Sequence, residues 1–243
     1  MDTFVDIHSH LLPGIDDGAQ NLADAVELAQ YAVNSGISHS VLTPHIHPGR
    51  YDNDEKSIHK AFMLLEDELI KQKIPLTIAY AAEVRISAEM MPLLENNKIP
   101  FLGQYKGEKI ILLEFPHSHI LPGSDKLINW LFKRNIRPII VHPERNKELQ
   151  ADISKIKPFL KVGCLLQITA GSLIGKFGSK SQQIARLLIE NKYAYFVATD
   201  AHNIKNRPPE LADVNRYLVT TMGKQEAKKL LYSNPWNIVR HKF

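Results

Sequence analysis

The sequence predicts an α/β fold, most simply a TIM-like barrel related to the (β/α)8 class, with a doubly wound open sheet as the runner-up. Three observations predict it. Short apolar runs alternate with amphipathic stretches from end to end of the 243 residues. The runs are nearly continuous in apolar character, as in parallel strands covered on both faces. Seven such runs can be counted, so the chain reads as a single domain over 1–243.

In chain order the predicted strands are Thr3–Ile7, Ser38–Thr43, Leu76–Ala82, Lys109–Leu113, Arg137–Val141, Cys164–Ile168 and Tyr195–Ala198. Each is short and rich in Val, Ile, Leu or aromatic residues. The first helix places Leu22, Val26 and Ala29 on one face; Asn21 or Asp24 can cap it and Gly36 stops it. A second, Glu55–Lys71, repeats the pattern with Ile58, Phe62, Leu65 and Leu69. Further helices are expected at Ser124–Lys133, Glu148–Leu160, Gln182–Glu190 and Lys224–Leu231, with Pro209 and Pro235 beside helix boundaries. The long polar loops at Pro44–Asn53, His117–Gly123 and Asn203–Pro209 are expected to border an active site. Trp130 and Trp236 are expected in the core.

Composition narrows the function. Hydrophobic residues make up 44% and charged residues 23%, a globular balance that excludes a disordered chain. Lys plus Arg number 30 against 26 Asp plus Glu, and a net charge of +4 is too small to predict a nucleic-acid partner. A single Cys excludes an internal disulfide and any multi-Cys metal site. No apolar run reaches the roughly 18 residues of a membrane span. The segment from Met1 to Asp6 lacks the basic and apolar parts of a signal peptide, so a cytoplasmic location is expected.

The chemistry lies in 11 His and their carboxylate neighbours. His8-Ser9-His10 follows the first strand directly. Two His at i and i+2 on extended chain project to one side and can share a metal ion. Asp16-Asp17-Gly18 follows closely, where a carboxylate can join. Thr43-Pro44-His45-Ile46-His47 follows the second strand. Glu83, Glu114, His142 and Asp200-Ala201-His202 follow the third, fourth, fifth and seventh. Only Cys164–Ile168, running into Gln167-Ile168-Thr169, lacks such a residue. In a (β/α) barrel the C-terminal strand ends converge on one mouth. Carboxylates buried there without partners carry a large desolvation cost, which metal ions remove. The candidate set is His8, His10, Asp17, His45, Glu83, Glu114, His142, Asp200 and His202, more than one ion needs and enough for two or three divalent ions.

The order H-x-H, D-D-G, T-P-H, two separate Glu, H-P-E-R and D-A-H resembles the polymerase-and-histidinol-phosphatase (PHP) superfamily. The closer likeness is to its bacterial tyrosine-protein phosphatase branch, linked to capsule and exopolysaccharide synthesis. The stretch from Asp6 to Ala19, the Gly49-Arg50-Tyr51 turn and His142-Pro143-Glu144-Arg145-Asn146 carry that likeness. The resemblance implies the PHP fold, a distorted (β/α)7 TIM-like barrel. It implies a cluster of manganese, with iron or zinc as alternatives. His8, His10, Glu83 and Asp200 would hold one ion. Glu83, Glu114 and His142 would hold a second, and Asp17, His45 and His202 a third. Arg145 and Arg207 match two phosphate-facing arginines. It implies hydrolysis of phosphotyrosine by a metal-bridging hydroxide, with His202 a candidate to assist weak leaving groups. The expected partner is the phosphotyrosine tail of a bacterial tyrosine kinase; a homo-oligomer is compatible with the sequence.

A thiol phosphatase needs an Arg six residues after its Cys, but Ala170 stands there relative to Cys164. A histidinol-phosphate-like small-molecule phosphatase or a phosphodiesterase would share the metal core, and a non-catalytic partner protein would not need all its ligands. Gly171, Gly175 and Gly178 suit either a phosphate subsite or tight turns. Tyr51 and Phe115 are candidates to stack on a substrate ring. His47 and His119 are either substrate contacts or plain loop residues.

Overall fold

Strand propensity is spent in a regular way in the computed structural model, which describes residues 3–243; Met1 and Asp2, the first residues of the segment read as leaderless, lie outside the described residues. The strands are β1 (Phe4–Ser9), β2 (Ile37–Leu42), β3 (His45–Ile46), β4 (Thr77–Tyr80), β5 (Glu83–Arg85), β6 (Gly103–Tyr105), β7 (Glu108–Glu114), β8 (Ile136–Val141), β9 (Leu165–Thr169) and β10 (Phe196–Ala198). The result is a mixed α/β fold with parallel sheets. One sheet runs β1-β2-β4; the other runs β10-β9-β8-β7-β5-β3, with β6 antiparallel on β7.

Two predicted strands are each followed, beyond their expected ends, by a short second strand. The second run breaks at Thr43-Pro44, because Pro44 has no N–H for a ladder, and resumes as β3. The third breaks at Ala81-Ala82 and resumes as β5. Each bent strand therefore serves both sheets: β2 pairs with β4, and β3 with β5. At the far side, Asp200 N donates to His8 O and His10 N to Ala201 O, both at 2.8 Å.

Alternation along the strands sorts side chains into two cores. Val5, Ile7, Val41, Ala79, Ala81, Ile110, Leu112, Ile139, Val141, Phe196 and Ala198 form one buried cluster, closed below by Ile238 and Val239. Their neighbours Phe4, Leu42, Ile78, Ile111, Leu113, Ile140 and Val197 face the other way, into the larger cluster shared with the helices. Leu22–Asn34 buries Ala25, Leu28, Ala29 and Ala32, and Asn21 accepts from Asp24 N at its start. Glu55–Gln72 starts from Asp54 and Ser57 in a reciprocal capping box.

Several expectations need correction. The helix expected over Glu148–Leu160 is three pieces, Lys147–Ala151, a 3-10 turn Ile153–Ile156 and Lys157–Val162. Asp152 caps Ser154 N and ends the first piece, and Pro158 starts the last. Lys224–Leu231 is helical only to Lys228, then widens into a π turn over Lys229–Ser233 before Asn234–Val239. Four helices went unpredicted among the described residues, Met90–Glu95, Ala212–Met222, Ala170–Leu173 and Asn234–Val239. The second carries Val214, Val219, Thr220 and Thr221, β-branched residues that mask helical propensity, yet both Thr hydroxyls bond back four residues to Arg216 O and Tyr217 O. Trp130 and Trp236 are half-buried, packing on the edges of the two cores.

Candidate metal centre

The inner face of the strands changes from apolar to charged at one end. Ala79 and Ala81 are followed on the same face by Glu83, Ile110 and Leu112 by Glu114, and Phe196 and Ala198 by Asp200. Gln167 holds the corresponding position on β9. His8 lies in β1 and His10 just beyond it; His45 opens β3; His142 follows β8. His142 (φ 36°) and Asp200 (φ 53°) adopt the left-handed backbone that non-glycine residues avoid. Strain of this kind gathers at functional sites.

These side chains meet. His8, His10, Glu83 and Asp200 offer donor atoms all within 4.8 Å of one another, and so do His10, Asp17, His45 and His202. A third group joins His45, Glu83 and Glu114. Glu83 lies between them, its Oε2 3.4 Å from His8 Nε2, 3.3 Å from His10 Nε2 and 3.0 Å from His45 Nδ1. These groups differ from the expected division at two points: His10 also joins Asp17, His45 and His202, and Glu114 groups with His45 rather than with His142, whose Nε2 lies 2.7 Å from Glu83 Oε1.

Do these residues fit divalent ions? His45 Nδ1, Glu83 Oε2, Glu114 Oε2 and His202 Nε2 are all buried without a hydrogen-bond partner. Leaving such atoms unmade is costly. Four such atoms among converging N and O donors, once the imidazoles are neutral, are what a cation would take up. The residues fit.

Charge balance agrees with that reading. Burial opposes ionisation at every one of these groups. At His10 it is outweighed by Asp16, with Asp200 and Glu83 adding, so the imidazolium persists well above the usual histidine range. At His45 Glu83 overcomes burial and raises the pKa to about 10. Glu83 is held well below the usual carboxylate range by His45 and His8 despite its burial. Glu114 goes the other way, to about 7, through burial and the Glu83 charge. Burial and Arg145 lower His142 to about 3; burial and His10 lower His202 to about 4.

A surrounding layer, missed from sequence, orients the imidazoles. Asp16 Oδ2 lies 2.7 Å from His10 Nδ1 and accepts from His45 N, while Oδ1 accepts from Gly18 N. Gln167 Oε1 pairs with His8 Nδ1 at 3.1 Å and accepts from His142 N. His202 Nδ1 faces Asp200 O at 3.0 Å. Each contact leaves Nε2 turned to the centre, as metal-binding imidazoles require. Gln167 thus explains why one strand end lacks a ligand-type residue. Its signal was that very exception.

Arg145 and Arg207 both bond Asp200 Oδ2, Arg207 at 2.6 Å. A third arginine, not expected, is Arg85, whose Nε lies 2.9 Å from Glu114 Oε2. It sits two residues beyond Glu83 on β5, the spacing that could have revealed it. Tyr51 stacks on His45, centroids 5.5 Å apart. Phe115 is buried against Phe159 and unavailable to a substrate. His47 N donates to Tyr51 O across a tight turn, and His119 is exposed beside Ser118. Cys164 is buried and its thiol pushed up to about 12 by burial. Gly175 and Gly178 turn the chain with φ of 86° and 87°.

Residues 4–240 match the family described as capsular polysaccharide synthesis, CpsB/CapC. The chain belongs to the CpsB/CapC family. The likeness read from the H-x-H, H-P-E-R and D-A-H motifs is thereby borne out at family level. Within the family, the tyrosine-protein phosphatase YwqE of Bacillus subtilis (strain 168) is 38% identical over 203 residues, 84% of this chain and 79% of that protein. Tyrosine-protein phosphatase CpsB of Streptococcus agalactiae serotype III is 28% identical over 244 residues, covering 98% and 99%. A solved structure from work on YwqE of Bacillus subtilis and CpsB of Streptococcus pneumoniae, described as unique metal-dependent tyrosine phosphatases, matches with a TM-score of 0.90. It is 34% identical and covers 98% of this chain and 95% of its own. The phosphotriesterase homology protein of Escherichia coli shares the fold alone, with a TM-score of 0.59 at 12% identity over 98% and 99%. No helix among the described residues is long and apolar enough to cross a membrane.

Proposed function

We propose that the protein is a metal-dependent phosphatase that hydrolyses phosphotyrosine on the tail of a bacterial tyrosine kinase controlling capsule or exopolysaccharide synthesis. It would use two or three divalent ions, manganese first, with iron or zinc as alternatives. The observation that carries the reading is Asp200. Its Oδ1 lies 3.5 and 3.4 Å from the Nε2 atoms of His8 and His10, and its Oδ2 receives Arg145 and Arg207. One carboxylate thus joins a metal-type cluster to a pair of anion-binding side chains. The relatives named as tyrosine-protein phosphatases support the choice of substrate.

His8, His10, Asp17, His45, Glu83, Glu114, His142, Asp200 and His202 would hold the ions. Ions bound there would lower the pKa of water and polarise phosphoryl oxygens. Everything else falls to the chain. Each guanidinium carries five N–H groups, so those not spent on Asp200 can receive phosphoryl oxygens in a fork. Arg145 and Arg207 are 16% and 22% exposed, buried enough to be strong and open enough to be reached. Tyr51, flat on His45, forms a wall on which a phenyl ring can lie. A phenolate with a pKa near ~10 leaves without strong acid help. His202, kept neutral near pH 7, suits ligation better than proton donation.

We read the two sheets as arcs of one distorted seven-stranded barrel. The β2–β3 and β4–β5 bends join the arcs on one side, and the His8–Asp200 and His10–Ala201 backbone bonds join them on the other.

The test is turnover on metal-reconstituted protein, setting a phosphotyrosine peptide against histidinol phosphate and a phosphodiester, with and without manganese. Metal-dependent preference for the peptide is expected. Preference for either rival overturns the substrate, and no turnover at full metal content overturns the enzyme reading.

A further inference from the structure

The ring of Phe177 lies against both anion-binding arginines. Arg145 Cζ is 4.8 Å from its centroid and Arg207 Cζ 5.7 Å. These two cations also converge on one oxygen, Asp200 Oδ2. Like charges so close repel; Asp200 holds both, and Glu144 and Glu83 add their charge at Arg145. An aromatic face attracts a guanidinium through its quadrupole without using an N–H. A second carboxylate there would consume donors and cancel charge. A ring leaves both for an incoming phosphoryl group.

The ring has a prepared seat. A Cβ on Gly171 would come within 2.9 Å of Phe177 Cε2, so the ring packs on bare backbone. The loop is held by Lys176 N donating to Gly171 O and by Gln182 Nε2 donating to Leu173 O. The buried carboxylate of Glu144, the residue before Arg145, accepts from Thr169 N and from Ser172 Oγ through Oε1. Ring and arginine are therefore fixed to the same small frame, one through the turn after β9 and the other through Glu144.

We propose that Phe177 is a positioning residue that presents Arg145 and Arg207 to the phosphoryl group through its ring face. The inference rests on the reading of those arginines as the anion clamp. The test compares Phe177→Leu, Phe177→Tyr and Arg145→Gln, plus the Leu/Gln double variant. It measures KM and kcat on a phosphotyrosine peptide, Ki for inorganic phosphate, and metal content. Two exposed cation–π contacts predict that Phe177→Leu raises KM and Ki roughly fivefold to thirtyfold. Metal content is expected to stay at the wild-type level and kcat to fall far less than KM rises. Phe177→Tyr restores both constants, and the double variant loses less than the product of the single losses. Should the Leu variant fold poorly by circular dichroism, Phe177→Met is read in its place. Wild-type Ki in the Leu or Met variant overturns the proposal. So does a Tyr variant no better than Leu, or full multiplicativity with Arg145→Gln. If Arg145→Gln itself leaves Ki unchanged, the anion clamp falls; if only Phe177→Leu leaves it unchanged, the positioning role alone falls.

Discussion

At the residue scale, His10 and His45 hold the clearest prediction. In the ion-free protein both pKa values are raised, His45 to about 10, so both imidazoles carry protons at pH 7. A divalent cation needs them neutral. Loading at pH 7 should therefore release about two protons and tighten as pH rises. Calorimetric titration with manganese in buffers of different ionisation enthalpy measures this; loading without proton release would contradict it. His10→Ala should lower metal content and activity together, whereas Arg145→Ala should keep the metal and raise KM, as metal analysis beside steady-state kinetics will show. Cys164, buried with a raised thiol pKa, should resist thiol reagents in the native protein, and Cys164→Ala should keep most activity. Residues of the centre were legible because all but Asp17 stand in, or within a few residues of, a strand in sequence. Gln167 and His8 are 159 positions apart, and their contact exists only through the packing of β9 near β1. No local pattern carries such a pairing.

At the scale of elements, the turn from His10 to Ala19 shows how local chemistry serves the centre. Gly14 N donates to Ala19 O, and Ala19 N donates back to His10 O. A Cβ at Gly18 would collide with the His10 carbonyl and side chain. Gly18→Ala should thus displace the segment that carries Asp17 and orient His10 less well. A loss of about 1–3 kcal/mol is expected, as for other overpacking changes, together with weaker metal retention. Thermal unfolding and metal analysis check it. Seven strands were legible because apolar runs of this length have few other uses, and their bounds moved by only a residue or two; the short β3, β5 and β6 lay outside those runs. Helices were less so. Asp152 competes for backbone bonds within Glu148–Leu160, and the back-bonded Thr220 and Thr221 hide a helix that tertiary packing enforces. The bends at Pro44 and Ala81-Ala82, which let two strands serve both sheets, have a sequence signal only at the proline.

For the whole molecule, burial of so many ionisable groups links metal to stability. The centre gathers residues from β1, β3, β5, β7, β8 and β10, so an ion bound there ties most of the sheet system together. Metal at about a thousand times its Kd adds roughly 4 kcal/mol to the native state. For a chain of this size that corresponds to about 8–16 °C in Tm. Scanning calorimetry before and after chelation tests it, and equal Tm values would show that the cluster does not bind metal in the native state. The same arrangement also orders events during synthesis. The ribosome delivers the chain from its N-terminus. His8 and His10 emerge about 190 residues before Asp200 and His202. Until then the cluster of His8, His10, Glu83 and Asp200 lacks a carboxylate and that of His10, Asp17, His45 and His202 lacks an imidazole. Acquisition of the complete centre thus waits until β10 has met β1.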